Sequence, residues 1–182
     1  MRNVTLEQLF VHPITQKYVG RSGIAHAISV AENAFHIAVE KDVEPDLATK
    51  AGLLHDIGHY QWYSKNGEWD FQTYQQNDIH AIKGAARAHK LLVRCGEDLK
   101  NAKKIALAIL LHTDSYLPDG QLQLSPLQQV VAEADEIDEL PGGAHHYNEI
   151  EYLDALNRIR LLDQRITDFH NTINIAHTAR LG

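Results

Sequence analysis

The chain has 182 residues with a hydrophobic fraction of 44% and a charged fraction of 23%, a composition that fits one globular domain and excludes disorder or a fibrous repeat. Seventeen Lys+Arg against 24 Asp+Glu leave a net charge of −7, which repels polyphosphate backbones at long range and argues against general nucleic-acid binding unless a local patch opposes the total. The longest purely apolar run, Ile105 to Leu111, is too short to span a membrane, and the start, Met1 to Glu7, lacks the apolar stretch of a secretory signal.

Nearly every long segment repeats its apolar residues with a helical period, and strand-like alternation is almost absent. The pattern predicts a short helix over Thr5 to Phe10. A second runs from about Ser22 to Lys41, with Ile24, Ile28, Ala31, Phe35 and Val39 on its inner side. Pro45 is placed as a first-turn proline for a third, Pro45 to Ile57. Between Gln61 and Phe71, Asn66-Gly67 sits among aromatic residues and predicts a small ribbon or ordered loop, either an aromatic plug on the core or a substrate-facing lid. A fourth helix is expected over Thr73 to Arg94, stopping near Gly96, and a fifth over Lys100 to His112. Pro118-Asp119-Gly120 then marks a loop. Ser125-Pro126 starts a sixth helix that Pro141-Gly142-Gly143 ends after Glu139. A last helix, about Asn148 to Arg180, completes an all-α bundle of about six to seven helices, its core over about 20–140. Strict heptads are not sustained in that last helix, so both a monomer and a homodimer remain open.

Twelve histidines with a single methionine set the functional question, because imidazole is the commonest metal ligand and the neutral-pH proton carrier. His55-Asp56 follows Leu53-Leu54 at a predicted helix end, where Gly58 breaks the chain. Buried there, both residues must be paired or bound, since an uncompensated internal carboxylate costs several kcal/mol. His26, His80, His112 and Asp135 likewise interrupt apolar helix faces. Four imidazoles and two carboxylates form a mixed nitrogen and oxygen set suited to Mn, Fe, Co, Ni or Zn. Six ligands exceed what one catalytic ion needs, and a bridging carboxylate would share them between two. The lone Cys95 offers neither an intrachain disulfide nor a cysteine metal cage, and the absence of disulfides fits a reducing cytoplasm.

At these residues the chain resembles the HD-domain metal-dependent phosphohydrolases. The first histidine His26, the doublet His55-Asp56 and the late Asp135 carry the resemblance in order over about residues 20–140, and the intervening His80 and His112 match the subgroup with a dinuclear site. His80-Ala81-Ile82-Lys83-Gly84-Ala85, Ala108-Ile109-Leu110-Leu111-His112-Thr113 and Ala134-Asp135-Glu136-Ile137-Asp138 are similar to the bacterial symmetrical dinucleoside tetraphosphate hydrolases. The resemblance implies that His26, His55, Asp56 and Asp135 hold one ion, that Asp56 bridges, and that His80 and His112 hold the second. It further implies hydrolysis of a phosphate mono- or diester, of a nucleotide or a dinucleoside polyphosphate, through a metal-bridging hydroxide, with Fe or Mn the leading metals. Where the family often has lysine after His-Asp-Ile-Gly, this chain has His59. The paired histidines and Gly-Tyr-Pro signature of cyclic-di-GMP phosphodiesterases are missing, since His112 is followed by Thr113.

Around this set, His59 is close enough to the doublet to donate a proton to a leaving group. Lys83 and Arg87, one and two turns beyond His80, and Arg21, just before the His26 helix, are candidates to meet substrate phosphates; the alternative is a solvated helix face. Asp138, three residues past Asp135, could support a ligand but reads first as a solvated acid near a helix end; Asp114 could be an acid or base but reads first as a loop aspartate, and His145-His146 could line the pocket but read first as a surface loop. His12, His36, His89, His170 and His177 read as surface or packing residues, and Cys95 as inert. The same ligands would also serve an HD-fold di-iron oxygenase or a non-catalytic metal-binding module.

Overall fold

The computed structural model describes residues 2–60, 70, 72–73, 78–113, 122–143 and 148–179, the side chains of 174 and 176–179 excepted. Eight helices are present among the described residues: α1 (Leu6–Phe10), α2 (Pro13–Ser22), α3 (Ile24–Glu40), α4 (Pro45–Leu54), α5 (His80–Cys95), α6 (Leu99–Leu110), α7 (Pro126–Glu139) and α8 (Tyr152–Ala179). The predicted ribbon between Gln61 and Phe71, apart from Asp70, and the loop at Pro118-Asp119-Gly120 lie outside the described residues.

Local chemistry explains most of the boundaries. Thr5 and Gln8 form a reciprocal capping box at the start of α1, and Ser125 and Gln128 do the same for α7. Pro13, Pro45 and Pro126 occupy first turns, where the missing N–H is no loss. Two expectations are corrected. The segment predicted as one helix from Ser22 to Lys41 starts instead at Ile24, because Gly23 adopts φ 117°, a conformation side chains rarely enter, and breaks α3 from a separate helix, α2, that the periodicity does not reveal. The fourth helix begins at His80 rather than continuing unbroken from Thr73, since Asp78 and Ile79 are not helical and Asp78 accepts the His80 backbone N–H.

All ten residues of α4 are buried. The helix packs against α3, α6 and α7, so the turn at its end opens into the centre of the bundle. Around it Phe10, Ile28, Leu53, Leu54, Ile57, Leu92, Ile105 and Ile109 form one apolar core, to which α8 adds Ile159, Leu162 and Ile166. Burying each such side chain contributes about 1.5–3 kcal/mol. The turn 55–58 lies directly against α5: a Cβ on Gly58 would stand 1.8 Å from the His80 carbonyl oxygen, so only glycine permits this approach. That contact sets His80 beside Asp56. No helix among the described residues is long and apolar enough to cross a membrane.

Candidate metal centre

His26 comes from α3, His55 and Asp56 from the turn after α4, His80 from the first position of α5, His112 from the end of α6 and Asp135 from α7. The six converge, and all but Asp135 are buried. His26 Nε2 stands 3.1 Å from His55 Nε2 and 3.2 Å from Asp135 Oδ1, which is 3.3 Å from His55 Nε2. Asp56 Oδ2 faces this first group, 3.5 Å from His55 Nε2 and 3.8 Å from His26 Nε2. The other carboxylate oxygen, Oδ1, faces a second group: 3.1 Å from His59 Nε2, 3.6 Å from His80 Nε2 and 3.8 Å from His112 Nε2, with the last two nitrogens 3.2 Å apart.

The outer nitrogens decide what the inner ones can do. His55 Nδ1 and His112 Nδ1 donate to the carbonyl oxygens of Gly52 and Ile109, each at 2.7 Å, and a carbonyl can only accept. His26 Nδ1 meets Asp138 Oδ2 and His80 Nδ1 meets Asp78 Oδ2, also at 2.7 Å. With one proton held on Nδ1, each ring in its neutral form turns an Nε2 lone pair inward. Lone pairs aimed at one another and at carboxylate oxygens repel, and a cation between them removes the repulsion. Asp135 Oδ1 is sheltered from solvent and has no hydrogen-bond partner among the described residues, as expected of an oxygen that serves a metal. Donors 3.1–3.3 Å apart also fit the edges of a shell whose bonds are about 2.0–2.2 Å long.

The electrostatics demand positive charge at this point. Burial opposes ionisation of Asp56 and Asp135, yet the imidazoles around them outweigh it and hold both carboxyls below their usual range. Burial likewise disfavours a charged His55, but Asp56 and Asp135 overcome it and raise its pKa to about 10. At His112 burial, reinforced by the charge on His55, lowers the pKa to about 4. His26 is raised, burial and the charge of His55 being outweighed by the Asp135 and Asp138 carboxylates beside it.

Other residues are placed less directly. His59 stacks on the His80 ring, centroids 4.5 Å apart, with one edge partly open to solvent. Lys83 holds its ammonium 3.5 Å above the Tyr60 ring. Arg87 donates to the Ile57 carbonyl and lies over Tyr18, where Arg21 also sits, 4.8 Å from the ring centroid. None of these three cations reaches the converging donor atoms. Asp138 is not the solvated acid its position suggests: it is buried and anchors His26, because the α7 face that carries Asp135 also turns the residue one turn later inward. Asp78 was not singled out by sequence reasoning; the available signal was an acid two residues before a ligand-like histidine. His12 is the N-cap of α2, accepting the Ile14 N–H, and His170 pairs with Glu44. Asp114 and His145-His146 lie outside the described residues.

The family model for the HD domain matches residues 23–140, a span that contains all six converging residues. The chain belongs to the HD domain family. It is 61% identical over 166 residues to the Bacillus subtilis (strain 168) protein named "Putative phosphohydrolase YueE", with 91% of this chain and 94% of that one covered. It is 23% identical over 162 residues to ribonuclease Y of Mycoplasma genitalium, spanning 88% of this chain but 28% of that protein. A crystal structure of a "predicted HD superfamily hydrolase" from an uncultured Thermotogales bacterium superposes with a TM-score of 0.47 at 22% identity, covering 86% of this chain and 80% of the other.

Proposed function

We infer that the protein, a metal-dependent phosphohydrolase of the HD domain family, works through a dinuclear centre on a phosphate mono- or diester of a nucleotide or dinucleoside polyphosphate. His26, His55, Asp135 and Asp56 Oδ2 would hold one divalent transition ion, and His80, His112 and Asp56 Oδ1 the second, with Fe or Mn favoured by the nitrogen and oxygen donors. The observation that carries this is the division of Asp56: its two oxygens face two different histidine pairs. When bound, the ions would neutralise phosphoryl charge and make water a better nucleophile.

The chain's own residues supply the rest. Asp138, Asp78 and the carbonyls of Gly52 and Ile109 fix the ring orientations before substrate arrives. His59, hydrogen-bonded to Asp56 and open at one edge, is placed to pass a proton to a leaving oxygen. Arg87, Lys83 and Arg21 would orient substrate phosphates from the α2 and α5 side. The lone, unpaired Cys95 supports a reducing cytoplasmic setting.

The test is elemental analysis of protein purified without chelator or a metal-binding tag, alongside phosphate release from a panel of nucleotides and dinucleoside polyphosphates. About two ions per chain are expected, lost with hydrolysis in Asp56→Ala. A variant that keeps both metal and activity overturns the assignment. His59→Gln sharpens it: a proton carrier leaves the metal content intact and slows turnover, whereas loss of an ion makes His59 a ligand.

A further inference from the structure

A cavity of about 400 Å³ opens between α2 and the C-terminal half of α5. Lys17 and Tyr18 line it from α2, and Arg87, Lys90 and Arg94 from α5, over the buried Leu91. On α5 the three cations fall at i, i+3 and i+7, which places them on one face over about 10 Å. In a chain of net charge −7 no acidic side chain among the described residues lines this cavity. The lysine and arginine ion pairs among the described residues belong to Arg2, Lys41, Lys50, Arg158 and Arg160, so the cavity's four cations are unneutralised there.

The Tyr18 ring concentrates the charge further. Arg87 lies 3.6 Å from its centroid, Arg21 4.8 Å and Lys17 5.3 Å. One ring attracts each cation only modestly, and neighbours of like sign repel, so a bound anion is what would stabilise the group. Arg87 shows the tension: burial, and then the charge of Arg21, shift its pKa down against the favourable Tyr18 ring. The same guanidinium donates to the carbonyl of Ile57, the residue after Asp56, and so joins this cavity to the turn that carries the candidate bridging carboxylate.

We propose that the cavity is a second anion-binding site that receives a chain of linked phosphates, the part of a substrate lying beyond the phosphate at the His/Asp centre. The connection to catalysis rests on the hydrolase reading; the anion site does not. Linked phosphates fit better than single-stranded nucleic acid. Successive bases need open aromatic faces, and Tyr18, the one aromatic ring among the described lining residues, already has Arg87 over it.

The test is calorimetric titration of the metal-loaded protein with inorganic tripolyphosphate, orthophosphate and a short oligothymidylate, for wild type and the double variant Lys17→Ala/Arg94→Ala. The melting temperature reports that the variant is folded, and single Lys17→Ala and Arg94→Ala variants are measured if the double does not fold. Tripolyphosphate should bind wild type more tightly than orthophosphate, and the ratio of the two affinities should fall by about tenfold or more in the variant, with a shallower salt dependence. An unchanged ratio overturns the proposal. So does tighter binding of the oligothymidylate that depends on the same residues, since the ligand would then be a phosphodiester strand. If no phosphate ester is hydrolysed but the tripolyphosphate result holds, the hydrolase reading fails and the anion site stands.

Discussion

Two buried polar regions sit at opposite ends of α4 and differ in kind. Near its start, Asp46 Oδ2 lies 2.6 Å from the ammonium of the fully buried Lys50, which is also 2.6 Å from Glu97 Oε2. Asp46 binds Arg2, Arg2 reaches Asp163, and Asp163 accepts the backbone N–H groups of Leu6 and Glu7. Positive and negative groups alternate there, and each charge has its partner inside the chain. At the other end, His55, Asp56 and their neighbours present inward lone pairs and anions with no internal cation among the described residues other than a proton on an imidazole. Burial of polar groups therefore does not by itself mark a functional site. A charge network that closes on itself holds the N-terminal segment, α4 and α8 together; one that remains short of positive charge is built for something that binds.

The strongest way to break the contrast is Asp56→Ala, which should abolish phosphate ester hydrolysis and release metal, measured by turnover and elemental analysis, while the Lys50 network stays intact. Lys50→Met should do the reverse. It strands Glu97 in the interior and leaves Asp46 with Arg2 alone, with an expected cost of about 3–5 kcal/mol, and metal content per folded chain should not change. Thermal denaturation beside elemental analysis checks both parts. Chelation should lower the melting temperature of the wild type by about 5–10 °C, since an ion at a hundred times its dissociation constant contributes about 2.7 kcal/mol, and should leave Asp56→Ala unmoved. Asp138→Asn weakens the anchor of His26 without removing a ligand; metal affinity should fall by about 10–100-fold in a competition titration. The smallest effect is expected at the exposed pair Lys41–Glu133. Lys41→Ala should cost less than about 1 kcal/mol by denaturant titration, because water screens that pair.

The converging residues were legible because each interrupts an apolar stretch at helical spacing: His26 between Ala25 and Ala27, His112 after Ile109 to Leu111, Asp135 after Ala134. Their order along the chain suggested one centre, and the helix packing brings them within a few ångströms. What lies behind them was not legible. Asp138 looks like a surface acid until α7 is laid against α3, and the carbonyls of Gly52 and Ile109 have no side chain to notice. The break at Gly23 was also hidden, because a single positive φ leaves no mark on the surrounding periodicity.

The sequence by itself determined that the chain is all-helical and rich in inward-facing histidine, since amphipathic period, caps and prolines act within a few residues of one another. Only the tertiary structure decided which charges are spent on the fold and which remain available. Lys50 and Glu97 are 47 residues apart and His26 and Asp138 are 112 apart, and nothing local links them. Whether a buried charge is satisfied depends on which groups the helix packing sets within hydrogen-bonding distance of it.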